Sequence, residues 1–160
     1  DMTCSKGCSK CCIDELSVFS WEASIISDWF SSLSEKDKQE WRKRQLLPAR
    51  PEGENQEDAC AFLHEGQCTI YEVRPSLCRT QGMAMQYLEE GKGEKVIKRD
   101  WCPLNFKATP LGPSPQDDLN LDALNQMLAL AQMIYEQENA EALGPVRVDL
   151  RELRDYLLQL

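Results

Sequence analysis

Four thiols fall within nine residues near the start of the sequence: Cys4, Cys8, Cys11 and Cys12, with Lys6 and Lys10 between them. Four more follow singly, at Cys60, Cys68, Cys78 and Cys102. Thiolate is a soft ligand, which selects zinc, copper(I) and iron–sulfur clusters over magnesium or calcium. A structural zinc ion and a four-iron cluster each take four protein ligands. Eight thiols therefore supply two four-coordinate ions or one binuclear centre. The adjacent pair limits how they group. Neighbouring side chains tend to point apart, so the expectation is that Cys11 and Cys12 serve two different metals, or that one stays free. The intervals between the later cysteines match no standard zinc-finger spacing. Spacing alone thus does not assign four thiols to one ion.

Other uses of eight thiols stay open. An even number allows a disulfide framework with 105 connectivities. Against that, the chain is long enough to fold without staples, and four thiols in nine residues pair awkwardly. Free structural or redox thiols are a further reading, and a buried core thiol is an ordinary fate for a lone cysteine such as Cys102. Lys6, Lys10, Arg74 and Arg79 adjoin cysteines and can offset thiolate charge. His64 is the single histidine. It sits in an expected hairpin turn, where an ordinary turn residue is the simpler reading than a ligand, and one histidine leaves little room for acid–base chemistry. There is no glycine-rich phosphate loop, nucleophile elbow or H-E-x-x-H helix.

The elements that must carry these thiols are mostly helical. Ser20 is a candidate cap for a helix to about Leu33, with Trp21, Ile25, Trp29 and Leu33 as its expected buried stripe and Ile26 and Phe30 beside it. Ser34 starts a charged helix anchored by Trp41 and Leu46–Leu47, which Pro48 and Pro51 end. Cys60-Ala-Phe-Leu and Cys68-Thr-Ile-Tyr flank His64-Glu65-Gly66-Gln67 as a small hairpin. A second hairpin around Gly91-Lys92-Gly93 leads into Trp101-Cys102 and returns Cys102 toward the other thiols. Half of the eight prolines lie between Pro103 and Pro115, which marks a linker. Asp117, Asp118 or Asn120 then caps a helix with Leu121, Leu124, Leu128, Ala131 and Tyr135 on its core face. Met127 and Met133 are expected to pack there, and Gly144-Pro145 stops the helix. A last helix starts near Asp149 and buries Leu150, Leu153, Leu157 and Leu160.

The expected fold is mainly α with small β-hairpins. It forms a single cysteine-rich metal-binding domain with helical C-terminal support: residues 1–102 bind metal, 103–117 link, and 118–160 support. The chain has 160 residues, is 42% apolar and carries a net charge of −9. That charge argues against nucleic acid and anionic membrane surfaces as partners. No apolar run approaches the ~20 residues that span a bilayer. No signal peptide is visible, and a cytoplasmic location is expected, although the sequence begins at Asp1 and an earlier signal stays open.

The run Cys4-x3-Cys8-x2-Cys11-Cys12, then Cys60-x-x-Leu63 through Cys68-x-Ile70-Tyr71-Glu72-x-Arg74-Pro75-x-x-Cys78-Arg79, resembles the YkgJ-type cysteine-cluster family, a zinc- or iron-chelating domain with a CxxCxxCC signature. The resemblance covers residues 4 to 102, with a first spacer of three residues where the signature has two. It implies metal binding through Cys4, Cys8, Cys11, Cys12, Cys60, Cys68, Cys78 and Cys102. The metal would be zinc or iron, including a binuclear or iron–sulfur centre. Flagellin lysine methylases carry a similar cluster, so the rival expectation is an iron–sulfur redox or methyl-transfer enzyme or its partner. A thiol redox sensor or a disulfide-framed protein without metal is the third. The sequence commits to no reaction.

Overall fold

The computed structural model describes residue 4 and residues 7–91, 93–107, 112–139 and 146–160. Lys6, Lys92, residues 108–111 of the proline-rich stretch, and the Gly144-Pro145 stop lie outside the described residues.

A short strand, β1 (Ser17–Phe19), runs straight into helix α1 (Ser20–Ser32). The start of α1 is fixed by Glu22, whose Oε2 accepts the Phe19 N–H at 3.2 Å. Ser20 is therefore inside the helix, and its hydroxyl donates to Gln132 Oε1 at 3.1 Å. Helix α2 (Glu35–Arg44) is capped as its sequence predicts, with Ser34 Oγ accepting the Asp37 N–H at 3.2 Å. Next come the hairpin β2 (Leu63–His64) and β3 (Gln67–Cys68), a 3-10 turn at Tyr71–Val73, and the single-turn helix α3 (Ser76–Thr80). The β2–β3 turn has Glu65 at φ 49° and Gly66 at φ 70°. Two successive positive φ values are what a two-residue hairpin turn demands.

A longer hairpin follows, β4 (Met85–Glu90) and β5 (Lys95–Asp100), with β6 (Leu119–Asn120) added in parallel beside β4. Asn120 caps helix α4 (Leu121–Glu138) by accepting the Ala123 N–H at 2.9 Å. Strand β7 (Arg147–Asp149) pairs antiparallel with β1, Val18 opposite Val148, and leads into α5 (Leu150–Gln159). Asp149 caps α5 at the Arg151 N–H, 2.7 Å away. The expected helices and hairpins are present, but the strands go further. The fold mixes helices with small sheets, and β1–β7 pairing brings the last helix against the first.

The core gathers Val18, Ile26, Phe30, Trp41, Phe62, Ile70, Leu150, Leu153 and Leu157. Trp41 meets Phe30 edge-on at 5.0 Å, a geometry favoured by the ring quadrupoles. The buried face of α1 is Glu22, Ala23, Ile26 and Phe30, one position round from the expected stripe, and Ile25 is exposed. Its rotation is set by the β1–β7 pair and by Glu22, not by the helix's own period. Leu46 and Leu160 are likewise exposed. On α4 only Gln132 is buried, and Met127 and Met133 face outward, contrary to the expected packing. The α4 core face is the half-buried set Leu121, Leu124, Leu128, Ala131 and Tyr135.

Candidate metal centre

The N-terminal thiol run is tied to the first hairpin by backbone. Ile13 bridges Ala59 in antiparallel fashion, and the Cys12 carbonyl accepts the Cys60 N–H at 3.1 Å. Arg50, almost fully buried, adds a second donor to that carbonyl at 3.2 Å while pairing with Asp58 at 2.8 Å. Cys68 sits opposite Leu63 in the hairpin, whose N–H is held by the Cys60 carbonyl at 2.9 Å. Cys60 and Cys68 both pack against the hydrophobic core. Cys78 is carried by α3. The start of that helix is held by Glu22, whose Oε1 accepts the Ser76 N–H at 2.7 Å. One buried carboxylate thus joins α1 to the helix bearing Cys78.

All eight cysteines are free thiols. Those near the core influence one another. The Cys12 thiol hydrogen-bonds to Cys11, and this bond outweighs burial and holds Cys11 down to about 6. Cys12 is pushed up by the same bond, by burial, and by charge at Cys11, Cys60 and Cys68. Burial pushes Cys60 up to about 11, with charge at Cys68 adding to it. Burial pushes Cys78 up to about 12, with charge at Cys60, Cys68 and Cys11 adding to it. Burial also raises Cys68, opposed by the Ile70 backbone and by Arg74 and Arg44. These thiols share one low-dielectric neighbourhood, so they cannot all ionise without a nearby cation. Arg74 supplies one positive charge, favouring the thiolates of Cys11, Cys68 and Cys78.

The remaining cysteines stand on the other side of Cys11. Cys4, Cys8, Cys11 and Cys102 line a cleft of about 510 Å³, together with Lys10, Met83, Met85 and Trp101. Asn105, only 2% exposed, bonds to three of the residues that line it. Its Nδ2 donates to the Gly82 carbonyl at 2.7 Å and to Cys4 Sγ at 3.5 Å. Its own N–H donates to the Cys102 carbonyl at 2.9 Å. Arg99 bonds Asp118 and the Pro113 carbonyl, fastening the far end of the proline-rich stretch to β5. Gly112 lies under Trp101 at φ +78°, and a Cβ there would come within 2.8 Å of the ring.

The eight sequence-predicted residues therefore fall into two neighbourhoods: Cys12, Cys60, Cys68 and Cys78 by the core, and Cys4, Cys8 and Cys102 on the cleft, with Cys11 reaching both. The donors fit a soft metal by chemistry. As the side chains stand, no three His, Cys, Asp or Glu among the described residues are grouped closely enough to hold one ion. His64 joins neither neighbourhood. Its Nδ1 lies 2.9 Å from the Leu47 carbonyl oxygen and its Nε2 lies 3.3 Å from that of Ala61.

The CxxCxxCC family, described as a putative zinc- or iron-chelating domain, matches residues 3–103. The chain belongs to that family. No curated protein and no solved structure matches it. The family match encloses all eight cysteines and ends just after Cys102, leaving α4 and α5 outside.

Within this CxxCxxCC domain the Ile70-to-Arg79 motif has a structural explanation. Ile70 is core. The Arg74 guanidinium lies 3.8 Å from the centre of the Tyr71 ring, and its buried Nε has no hydrogen-bond partner among the described residues. Pro75 precedes α3, and Arg79 reaches back to the Arg74 and Glu72 carbonyls at 2.7 Å each. Arg79, grouped with Arg74 by sequence as a thiolate partner, instead braces the turn that aims Arg74. Glu22, Arg50 and Asn105 were not legible as site residues. Each is polar and buried, and no local pattern announces burial.

Proposed function

We propose that the protein holds zinc or iron through its eight cysteine thiolates, in two groups that meet at the Cys11–Cys12 peptide. The inner group is Cys12, Cys60, Cys68 and Cys78. The outer group is Cys4, Cys8, Cys11 and Cys102. The observation that carries this reading is the gathering of the eight thiols into two neighbourhoods that share Cys11, whose thiol bonds to that of Cys12 and also lines the cleft. A bound cation supplies the charge that lets crowded, half-buried thiols ionise together. Arg74 offsets part of the surplus negative charge of the inner group, and Asn105 orients Cys4 in the outer one. The backbone bonds at Cys12, Cys60 and Asn105 would hold in register the segments whose thiols would bind the ion.

The reading is tested by anaerobic purification followed by elemental analysis, an absorption spectrum and a thiol count. Stoichiometric zinc or iron, with thiols protected from alkylation until a chelator is added, is the expected result. Visible iron–sulfur absorption would select the cluster form. Metal-free protein with paired thiols would overturn the proposal.

A further inference from the structure

The outer cleft holds more sulfur than eight thiols account for. Met83 and Met85 line it beside Cys4, Cys8, Cys11 and Cys102. Met83 lies in the bend after α3, its N–H donating to the Thr80 carbonyl at 3.1 Å, Met85 opens β4, and Ala84 between them is buried at 5% exposure. The run is held in place on both flanks. The Gly82 carbonyl accepts the Asn105 amide that also contacts Cys4, and the Ala84 carbonyl accepts the Leu119 N–H at 2.9 Å. Met85 is paired in β4 with Asp100 on one side and Leu119 on the other. Two thioethers are thus fixed on the same wall as the thiols, in a cleft wide enough to admit an ion from outside.

Thioether is a softer and weaker donor than thiolate. Together with thiolate it favours soft ions such as copper(I), while carboxylate, carbonyl and water suit the harder ones. Resting on the reading that the outer thiols are ligands, we propose that this cleft accepts copper(I), with Met83 and Met85 as thioether ligands beside the thiolates of Cys4, Cys8 and Cys102.

The direct test uses the unaltered chain with its methionines replaced by selenomethionine. Copper(I) is added anaerobically, and X-ray absorption at the copper edge is read for selenium neighbours. A copper–selenium distance that disappears in the Met83→Leu/Met85→Leu double variant is the expected result, and its absence from the unaltered chain overturns the proposal. Leucine keeps the volume and apolarity of methionine. Competition against a coloured copper(I) chelator should show the double variant weakened by roughly 10-fold or more, on the scale typical for a lost supporting interaction at a metal site. Its zinc affinity should stay unchanged. Equal copper(I) affinity in both proteins counts against it. Cys8→Ser and Cys102→Ser separate the two proposals. If neither loses zinc, iron or copper(I), the eight-thiol reading fails. If both lose metal while selenium never neighbours copper, only the thioether proposal fails.

Discussion

The two thiol neighbourhoods are built on different supports. Cys60 and Cys68 lean on the hydrophobic core, and Cys78 rides on a helix pinned by a buried carboxylate from α1. Cys4 and Cys8 are exposed and reach the fold mainly through Asn105 and the walls of an open cleft. A ligand set wired into the core ties metal binding to folding, because ordering the site and ordering the core are one event. A set at an open cleft can be filled or emptied with the core already formed. On the proposed reading, the contrast separates a structural inner group from an accessible outer one.

The largest expected effect, and the strongest way to break the contrast, is Cys78→Ser. Structural zinc contributes on the order of 10 kcal/mol in small zinc-dependent folds. Loss of inner metal should lower the thermal midpoint more than any outer substitution does, as read by calorimetry with metal analysis. An unchanged midpoint with metal lost would make the inner group an accessory. Next is Leu157→Ala, at a fully buried position of α5. It should cost about 2–5 kcal/mol in denaturant unfolding. It should also speed release of inner metal to a chelator while leaving the outer metal alone. Glu22→Ala removes the acceptor of the Phe19 and Ser76 N–H groups. At about 1.5–3 kcal/mol for each hydrogen bond to a charged group, losing both should destabilise on the same scale as Leu157→Ala and loosen inner metal as much. The smallest stability change is expected for Cys102→Ser, which should lose outer metal with little shift in midpoint. A drop matching that of Cys78→Ser would erase the distinction.

What was legible in the sequence was local. The Ser34 cap, the helix start near Asp149 and the Glu65–Gly66 turn follow from residue chemistry over three or four positions and are present; of three candidate caps for α4 Asn120 is the one used, and Ser20, expected as a cap, lies inside α1. The thiols were legible as a set because no core needs so many. Their grouping was not, since it depends on the Ile13–Ala59 bridge and on Asn105 meeting both Gly82 and Cys4, contacts between residues far apart in the chain. The α1 stripe was misjudged by one residue for the same reason. An apolar period gives a helix its face, but the rotation was set by β1 pairing with a strand some 130 residues away in the sequence. The α4 pattern erred differently, because Met127 and Met133 extend an apolar series beyond the part that the sheet and α1 cover.

The β1–β7 pair has a consequence in time as well as in space. Arg147 bonds Ser17 across a separation of 130 residues, so the pair closes nearly the whole chain into one loop. Closure entropy must be met before so distant a contact brings any gain. On a ribosome, which delivers the chain from its N-terminus, every cysteine emerges before Leu150, Leu153 and Leu157 exist to complete the core. Helix α5 therefore acts as a clock: the thiols emerge on an incomplete core, and the arrival of α5 ends that interval.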